Sequence, residues 1–273
     1  MFGDNMKYGI VSNSNRDKDG AVAAKVSELI EKFGGEATFD IDSSVDVIIS
    51  IGGDGTFLSV IDKYRDFDCA FIGVNRGSVG FLTDINNLEQ DIKTLVTGDV
   101  KVIERSQLKV DVYSESGDLK GTDYCLNDVM VCRGSWPHVT NLDLFIDGEK
   151  IETFRGDGIV VATATGSTAY SLAAGGPILM PYMQDIIVTP VCSNTFYGYS
   201  YVTTKDSVIE IGVGKFETPP IITPDGRQFV ELSPGDSIRV TGHDKTVKTL
   251  SVSGNNFFTD VKSKILRKGS FYE

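Results

Sequence analysis

The sequence predicts an α/β N-terminal domain with an open parallel sheet, followed by a β-rich C-terminal domain. In roughly the first hundred residues, short apolar runs alternate with amphipathic helical patterns, as in proteins built on parallel sheets. After about residue 102, strand-length runs are separated by turn signals such as Ser-Gly-Asp and Ser-Pro-Gly-Asp. We therefore predict a first domain at 1–105, a second at 106–248, and a tail, 249–273, that packs back on the first domain.

Each element of the first domain has its own sequence signal. Residues 7–12 and 70–74 are short apolar runs that predict strands, and 45–51 is a β-branched run typical of a buried parallel strand. Helical spacing of apolar side chains predicts helices over 21–33 and 88–96, and each pattern ends at glycine. A third helix follows a GGDGT turn. In such sheets ligands bind at the carboxyl ends of the strands.

The second domain shows strand signals separated by turns. Alternating or short continuous apolar runs, bounded by glycine, proline, serine and aspartate, indicate strands rather than helices. The predicted strands are 107–113, 123–132, 139–146, 158–163, 186–192, 207–213, 229–232 and 236–241.

The composition excludes several classes of function. The 273 residues carry 26 basic and 38 acidic side chains, a formal net charge of −12, which argues against binding to nucleic acid or anionic membranes. The four cysteines form no C-x-x-C pair and there are two histidines, so we expect reduced thiols and no zinc site. Without a signal-peptide pattern or an apolar run of about 20 residues, we expect a cytoplasmic protein.

Gly52, Gly53, Asp54, Gly55 and Thr56 form a glycine-rich turn between a strand and a helix. Its backbone N–H groups can bind a phosphate, and its glycines permit close approach. A simple anion site would not favour a carboxylate, so Asp54 indicates a hydroxyl that must lose a proton or a metal ion shared with phosphates. The alternative is a tight turn in which Asp54 caps the helix. Neither the dinucleotide fingerprint nor the Walker A spacing is present.

The loop at 75–85 carries two apolar side chains, Phe81 and Leu82, in a polar and glycine-rich context. One interpretation is a loop that these two side chains pin to the core. The other is a pocket wall whose aromatic face contacts a base. We favour the second because the loop follows a parallel strand.

A second set of polar residues lies in the C-terminal half. After a strand, Ser167 and Thr168 supply hydroxyl groups at the start of a helix of small residues, and Arg155 supplies a cation. We interpret them as one corner that binds an anion and a ribose, against the alternative of a helix capped by serine or threonine. Asn127 and Asp128 offer an amide and a carboxylate in an apolar context, where they need partners. Either a bound ligand or hydrogen bonds within a turn would supply these partners.

Taken together, these motifs resemble the bacterial NAD kinases. The matching segments occur in the family's order: GGDGT at 52–56, GVNRGSVGFLTDI at 73–85, Asn127-Asp128, RGDGIVVATATGSTAYSLAAGGPI at 155–178, and Pro224-Asp225-Gly226-Arg227. Lipid kinases and phosphofructokinases carry something similar to GGDGT, whereas the 155–178 block is specific to NAD kinases.

The resemblance implies transfer of the terminal phosphoryl of ATP, with polyphosphate as an alternative donor, to the 2′-hydroxyl of the adenosine ribose of NAD. It implies an active site in the crevice between the domains, Asp54 as the catalytic residue, and Mg²⁺ or another divalent cation. It also implies self-association to a dimer or tetramer. The expected substrate- and nucleotide-binding residues are Gly52, Gly53, Gly55, Thr56, Asn75, Phe81, Asn127, Asp128, Arg155, Asp157, Ser167, Thr168, Ala169, Tyr170, Ser171, Ala173, Cys192 and Asn194.

Within that set the resemblance implies particular roles. Gly55 is expected beside the bound dinucleotide and Phe81 near the adenine. Residues 168–173 match the segment that contacts the adenosine and its ribose. Asn127 and Asp128 match an Asn-acidic pair that holds the ribose and nicotinamide-side groups, although many family members have Glu at the second position.

The remaining expected residues lie further along the chain. Arg155 and Asp157 are expected in the same pocket, with Asp157 either serving the neighbouring subunit's site or facing the nicotinamide amide. The segment 192–196, CSNTF, replaces a stretch that often carries Pro-His in the family. That departure leaves the dinucleotide-contacting role of Cys192 and Asn194 open.

Two other functions compete with this one. A lipid or sugar kinase could share GGDGT, but it would need an apolar acyl cleft or a basic sugar-phosphate site, and the 155–178 block would have no role in it. A non-catalytic sensor of NAD or NADP could keep the pocket, but it would be expected to have lost the carboxylate at Asp54, which is present.

Overall fold

The two textures of the sequence correspond to two structural units. The computed structural model describes residues 6–76, 80–98, 100–134, 139–194, 198–252, 254 and 257–269, with side chains described as far as residue 264. One unit comprises Met1–Glu104 and Val247–Glu273, and the other comprises Arg105–Thr246. The sequence between Glu104 and Val247 therefore folds as an insertion between two parts of the first unit.

The first unit is built on one six-stranded sheet with the order β2-β1-β3-β4-β17-β5. From β2 to β17, each strand in this order is parallel to the next. Its strands are β1 Lys7–Ser12, β2 Glu36–Thr38, β3 Val47–Gly52, β4 Ala70–Asn75, β5 Lys101–Arg105 and β17 Val247–Ser251, and its helices are α1 Ala21–Lys32, α2 Asp54–Lys63, α3 Leu88–Thr97 and α5 Phe257–Gly269. This confirms the predicted open parallel sheet.

Burial explains why these segments form as they do. Every residue of β3, VIISIG, is buried, as expected for a central strand covered on both faces. Helix α1 packs Val26, Leu29 and Ile30 into the same core, which also contains Leu250 of β17. The strand contributed by the tail completes this sheet beside β4.

The second unit contains two antiparallel sheets. The six-stranded one has the order β10-β9-β14-β16-β6-β7, and the five-stranded one β13-β12-β11-β8-β15. The strands are β6 Leu108–Tyr113, β7 Leu119–Cys125, β8 Asp128–Cys132, β9 Thr140–Ile146, β10 Glu149–Gly156, β11 Gly158–Ala162, β12 Ile186–Val191, β13 Tyr201–Thr203, β14 Ile209–Val213, β15 Ile221–Pro224 and β16 Ser237–Gly242, with a 3₁₀ turn at Gly166–Thr168 and helix α4 at Tyr170–Ala173.

The central strand of the five-stranded sheet is buried on both faces. Ile159 and Val161 of β11 face a core shared with the six-stranded sheet, while Val160 and Ala162 face a smaller cluster that includes Leu179. All five residues of β11 are buried. The segment after β11 therefore covers the sheet face opposite the main core, and this cover carries several of the expected binding residues.

Two predicted strands of the second unit are wrong. Residues 123–132 are not one strand, because the chain leaves the six-stranded sheet after Cys125 and enters the five-stranded sheet at Asp128. Residues 229–232 form only an isolated bridge from Glu231 to Ile221. Apolar periodicity does not distinguish a strand that continues from a chain that changes sheets.

The sequence analysis also missed several strands. After the left-handed pair Asp147 (φ 52°) and Gly148 (φ 82°), β10 returns along β9 as a hairpin, but its exposed side chains are polar and gave no apolar signal. The other missed strands, two of them only three residues long, are β2, β5, β13, β15 and β17. None of the helices in the described part of the chain is both long and apolar enough to cross a membrane.

Candidate active site

Polar groups gather at the carboxyl edge of the first unit's sheet. Gly52 at the end of β3 lies directly beside Asn75 at the end of β4. Asn13 follows β1, and its Nδ2 donates a hydrogen bond to Thr56 Oγ1 at 2.9 Å. The ends of three parallel strands thus bring together residues that are far apart in sequence, as expected at the ligand-binding edge of such a sheet.

The first turn of α2 is open to a ligand. Gly53 is the N-cap residue, with extended backbone, and no side chain caps the helix. The predicted alternative, in which Asp54 serves as the cap, is therefore wrong, since Asp54 is the first residue of the helix. The backbone N–H groups of a first turn have no partners within a helix, so this turn can bind an anion.

Two backbone amides of the neighbouring loop orient the Asp54 carboxylate. Phe81 N donates to Asp54 Oδ2 at 2.8 Å and Leu82 N donates to Oδ1 at 3.1 Å. The Asp54 residue is half-buried rather than enclosed. The carboxylate therefore has a fixed direction, because both of its oxygens accept a bond from the main chain.

The loop approaches this carboxylate so closely that only glycine fits at position 80. A Cβ on Gly80 would lie 2.3 Å from Asp54 Oδ1 and 2.6 Å from Thr83 Oγ1. Real Cβ atoms do not make contacts this short, so a side chain at position 80 would have to displace the carboxylate or the loop.

We expect Gly80→Ala to reduce turnover while it keeps Asp54 itself. A shift of about 1 Å in a catalytic group reduces rate on the order of 10²-fold, so a loss of kcat between about 10- and 100-fold is expected. Steady-state kinetics checks this, with Gly212→Ala as control because a Cβ there meets nothing nearer than 3.5 Å. Unchanged kcat in Gly80→Ala would show that the position of the carboxylate does not matter.

The two apolar side chains of this loop have different surroundings. Leu82 is buried at 8% exposure, so it pins the loop to the core. Phe81 is half-buried, and the Lys264 ammonium of α5 lies 5.5 Å from the centre of its ring. The interpretation that apolar side chains pin the loop to the core therefore holds for Leu82. The Phe81 ring instead makes a cation–π contact with Lys264.

In the second unit, Asn127 lies where the chain passes from β7 to β8. Thr163 N donates to Asn127 O at 2.9 Å, and Thr163 Oγ1 donates to Leu126 O. Gly166 packs against the same residue, since a Cβ there would lie 2.1 Å from Asn127 O. The side-chain Oδ1 of Asn127 is buried and has no hydrogen-bond partner among the described residues. A buried amide oxygen without a partner is unfavourable unless a ligand supplies one.

Asp128, the first residue of β8, is a buried carboxyl group with 8% exposure. Burial, and then the nearby Asp225 carboxylate, raise the pKa of Asp128 to about 7. Burial also raises the pKa of Asp225, but three backbone N–H groups and Arg227 favour its ionised form. Two such groups titrate as a pair, and we expect the shared proton on Asp128.

We expect this carboxyl group to make stability depend on pH. With a folded pKa near 7 and an unfolded pKa near 3.9, Asp128 binds its proton more tightly in the folded state, so its contribution is lost as pH rises from about 4 to 7. As pH rises from 5 to 8, the free energy of unfolding of Asp128→Asn should therefore increase by on the order of 2–4 kcal/mol relative to that of the wild type. Tm values at both pH values check this. A Tm difference that does not vary with pH would contradict it.

The turn after β11 uses most of its hydroxyl groups internally. Ser167 Oγ donates to Ala164 O at 2.6 Å and accepts from Leu179 N, and the residue is fully buried. Ser171 shares a hydrogen bond with Thr189, and Thr168 Oγ1 is directed to Thr165 O. The alternative of a helix capped by serine or threonine is wrong here, since neither the 3₁₀ turn nor α4 has a side-chain cap. The Ser167 hydroxyl instead joins Ala164 to Leu179 within the turn and has no exposed surface. Of the expected residues of this segment, Thr168 and Ala169 are half-buried, and Tyr170 and Ala173 are exposed.

The structure separates Arg155 from that turn. Arg155 is the next-to-last residue of β10 and precedes β11, whereas the turn follows β11, so the five residues of β11 intervene. At about 3.3 Å per residue they span roughly 13 Å. The predicted single corner is therefore wrong, because both ends of one extended strand cannot meet.

Four of the expected residues lie at this opposite end of β11. Asp157 N donates to Val191 O, and the Asp157 carboxylate forms an ion pair with Arg133, whose Nε lies 2.8 Å from Oδ1. Asn194 N donates to Arg155 O at 2.8 Å. Cys192, Asn194 and Arg155 are exposed. Burial, and then the negative charges of Cys132, Cys192, Asp157 and Asp128, raise the pKa of Tyr170.

Metal-binding residues do not cluster in the described part of the chain. Within those residues there is no group of three His, Cys, Asp or Glu side chains that could hold a metal ion. Asp54 is the one carboxylate at the open first turn of α2. This donor set fits a Mg²⁺ ion that binds mainly to phosphate oxygens, which typically uses one or two protein carboxylates.

Comparison with known proteins decides the family. Residues 9–130 match the model of the ATP-NAD kinase N-terminal domain, and residues 126–252 match that of the ATP-NAD kinase C-terminal domain. An NAD kinase of Ruminiclostridium cellulolyticum is 36% identical over 96% of this chain and 98% of its own. This chain belongs to the NAD kinase family. An NAD kinase of Clostridium beijerinckii is 34% identical over 94% of this chain and 95% of its own.

Solved structures of NAD kinases share the fold. An NAD kinase from Archaeoglobus fulgidus in complex with ATP superposes with a TM-score of 0.76 at 26% identity, covering 96% of this chain and 99% of its own. Yeast NADH kinase complexed with NADH gives a TM-score of 0.84 over 99% of this chain and 90% of its own, at 21% identity, which supports the fold alone. As a member of the NAD kinase family, the chain is a phosphotransferase with an alcohol group as acceptor.

Three residues that hold expected binding residues of the second unit in place were not singled out from the sequence. Thr163 hydrogen-bonds the backbone of Leu126 and Asn127, and Arg133 forms an ion pair with Asp157. Asp225 accepts hydrogen bonds from the backbone of 126–128, where the chain passes from one sheet to the other. Asp225 was visible only as part of a turn motif. The register of β8 against β11, which places Cys132 opposite Gly158, brings Arg133 to Asp157, and only the folded sheet reveals that pairing.

Proposed function

We propose that this chain transfers the terminal phosphoryl group of ATP to the 2′-hydroxyl of the adenosine ribose of NAD, giving NADP. The observation that carries the proposal is the Asp54 carboxylate. It stands at the uncapped start of α2 and is oriented by the amides of Phe81 and Leu82. Membership of the NAD kinase family supports NAD as acceptor, and the ATP complex of the Archaeoglobus enzyme supports ATP as donor.

The chemistry asks the protein mainly for alignment and neutralisation of charge. Phosphoryl transfer needs little covalent participation by the protein. In our proposal the N–H groups at the start of α2 bind phosphate oxygens, and Asp54 accepts the proton of the ribose hydroxyl. Asp54, the carboxylate in the first turn of α2, would help to hold Mg²⁺ bound to ATP, and the ion would supply neutralisation of the phosphate charge.

The second unit offers polar groups at two ends of one sheet. We propose that Asn127 and Asp128 bind NAD at one end of β11, and that Asp157, Arg133 and Cys192 bind it at the other end. Their spacing of roughly 13 Å suits an elongated molecule with polar groups at both ends, and NAD is such a molecule. Tyr170 and the small residue Ala169 between them would leave room for the ligand along the face of the sheet.

Further properties belong to the same proposal. We propose a cytoplasmic enzyme that forms a dimer or tetramer, with Asp157 near a neighbouring subunit or the nicotinamide amide. Polyphosphate is the alternative donor. A sensor that binds NAD without turnover is the competing function, and an intact, oriented Asp54 argues against it.

One assay separates these functions. The protein is incubated with NAD, ATP and Mg²⁺, and NADP is detected with an NADP-specific dehydrogenase. We expect NADP only when ATP is present, and parallel reactions with polyphosphate or NADH define the donor and acceptor ranges. Tight NAD binding without NADP would favour the sensor, and neither binding nor product would remove NAD as the substrate.

A further inference from the structure

One side chain holds the three consecutive residues at the crossing between the two sheets of the second unit. Asp225 Oδ2 accepts a hydrogen bond from Leu126 N at 2.8 Å. Its Oδ1 accepts from Asn127 N at 2.8 Å and from Asp128 N at 3.3 Å. In return, Asp225 N donates to Asp128 O at 2.8 Å. Four hydrogen bonds thus tie one residue to the segment that carries the Asn127–Asp128 pair.

The carboxylate of Asp225 is held toward these backbone amides by the conformation of its turn and by burial. Asp225 (φ 44°) and Gly226 (φ 74°) are both left-handed, and Arg227 N closes the turn on Pro224 O at 2.9 Å. Such a backbone is unfavourable for most residues with a side chain, although aspartate tolerates it better than most. The Asp225 side chain is only 4% exposed. It therefore cannot exchange its main-chain partners for water.

Asn127 is held from the opposite side as well. Thr163 N donates to Asn127 O, and this oxygen packs against Gly166 where any other residue would place its Cβ. The backbone of Asn127 is thus fixed at its N–H by Asp225 and at its carbonyl by the turn after β11. Its Oδ1 is the group that remains without a partner within the described residues.

We propose that Asp225 is a positioning residue for NAD, which fixes Asn127 and Asp128 before the ligand arrives. The inference rests on the proposed role of Asn127 in binding NAD. Preorganisation raises affinity because the ligand does not have to order the segment. Asp225→Asn removes the charge and leaves one oxygen for three N–H groups, so the Kd for NAD should rise about tenfold.

The test compares four variants by calorimetry with NAD as the probe. Asn127→Ala should raise the Kd, and adding Asp225→Asn to it should raise the Kd further by clearly less than tenfold, because only Asp128 then remains to be positioned. Asp236→Asn is the matched control. Asp236 is also a buried carboxylate, 3% exposed, and it accepts a bond from Ser233 N at 2.7 Å. Its replacement should lower Tm but leave the Kd for NAD unchanged.

Each outcome decides the inference. Full additivity of the two changes, or an Asp225→Asn Kd within about twofold of the wild type, would overturn it and leave the proposed function intact. An unchanged Kd in Asn127→Ala would overturn the inference together with the proposed role of Asn127, and NADP formation would still decide the proposed function. If Asp225→Asn does not fold, hydrogen exchange of the wild type decides, because preorganisation requires the amides of Leu126, Asn127 and Asp128 to be protected without NAD. Protection that appears only on adding NAD would refute it.

Discussion

Asp54→Asn should abolish most turnover while the protein still folds and binds NAD. Asparagine has nearly the same shape and can still accept a hydrogen bond from Phe81 N or Leu82 N, so the loop at 80–82 keeps its anchor. It cannot accept the proton of the ribose hydroxyl. General-base catalysis is typically worth about 10²–10⁴-fold, and we expect kcat to fall by that factor. The measurements are kcat from NADP formation and Kd for NAD.

A second aspartate on the same helix provides the control. Asp62 lies near the other end of α2 and pairs with Arg65. Asp62→Asn removes one negative charge from the helix without touching its first turn, so its kcat should stay within about twofold of the wild type. If Asp54→Asn keeps kcat within about tenfold of the wild type, Asp54 is not the catalytic base. Asp54→Ala is less informative, because it also removes the anchor of the loop.

Asn127→Ala should weaken NAD binding without destabilising the free protein. In the free protein Asn127 Oδ1 is buried with no partner among the described residues, so removing this atom breaks no hydrogen bond within them. When NAD is bound, this oxygen is expected to gain a donor. Loss of such a buried polar contact is worth about 1–3 kcal/mol, or roughly 5- to 150-fold in Kd. Calorimetry with NAD and thermal unfolding without it separate the two effects.

An exposed asparagine serves as the reference for this change. Asn86 lies in the first unit, and its Nδ2 donates to Asp84 O. Asn86→Ala should leave the Kd for NAD unchanged. A large fall in Tm for Asn127→Ala, with an unchanged Kd for NAD, would mean that the residue supports the fold and does not bind the ligand.

The local signals of the sequence predicted β1, β3, β4 and the helices α1, α2 and α3 of the first unit, because these elements are defined by local periodicity, whereas β2, β5 and β17 were missed. The buried run of β3 and the apolar stripe of α1 each bury one continuous set of side chains, which is visible in a window of a few turns. The turn GGDGT was located correctly between them. The prediction that Asp54 caps the helix was one of two alternatives, and the open first turn of α2 decided against it.

The second unit was harder to predict because its arrangement depends on non-local pairing. The chain changes sheets at Asn127, and the signal for that change is a carboxylate almost a hundred residues later, at Asp225. Likewise, the grouping of Arg155 with Ser167 was reasonable by sequence distance. It was wrong because β11 is an extended strand that separates its two ends.

The sequence alone determined the fold class, the glycine turn with its carboxylate and the resemblance to NAD kinases, since each depends on residue type and short-range spacing. Only the tertiary structure decided where the polar groups point. It turned Asp54 toward the amides of Phe81 and Leu82, buried the Ser167 hydroxyl, and left Asn127 Oδ1 without a partner among the described residues. These outcomes depend on hydrogen bonds between segments distant in sequence, and such bonds form only when the sheets bring those segments together.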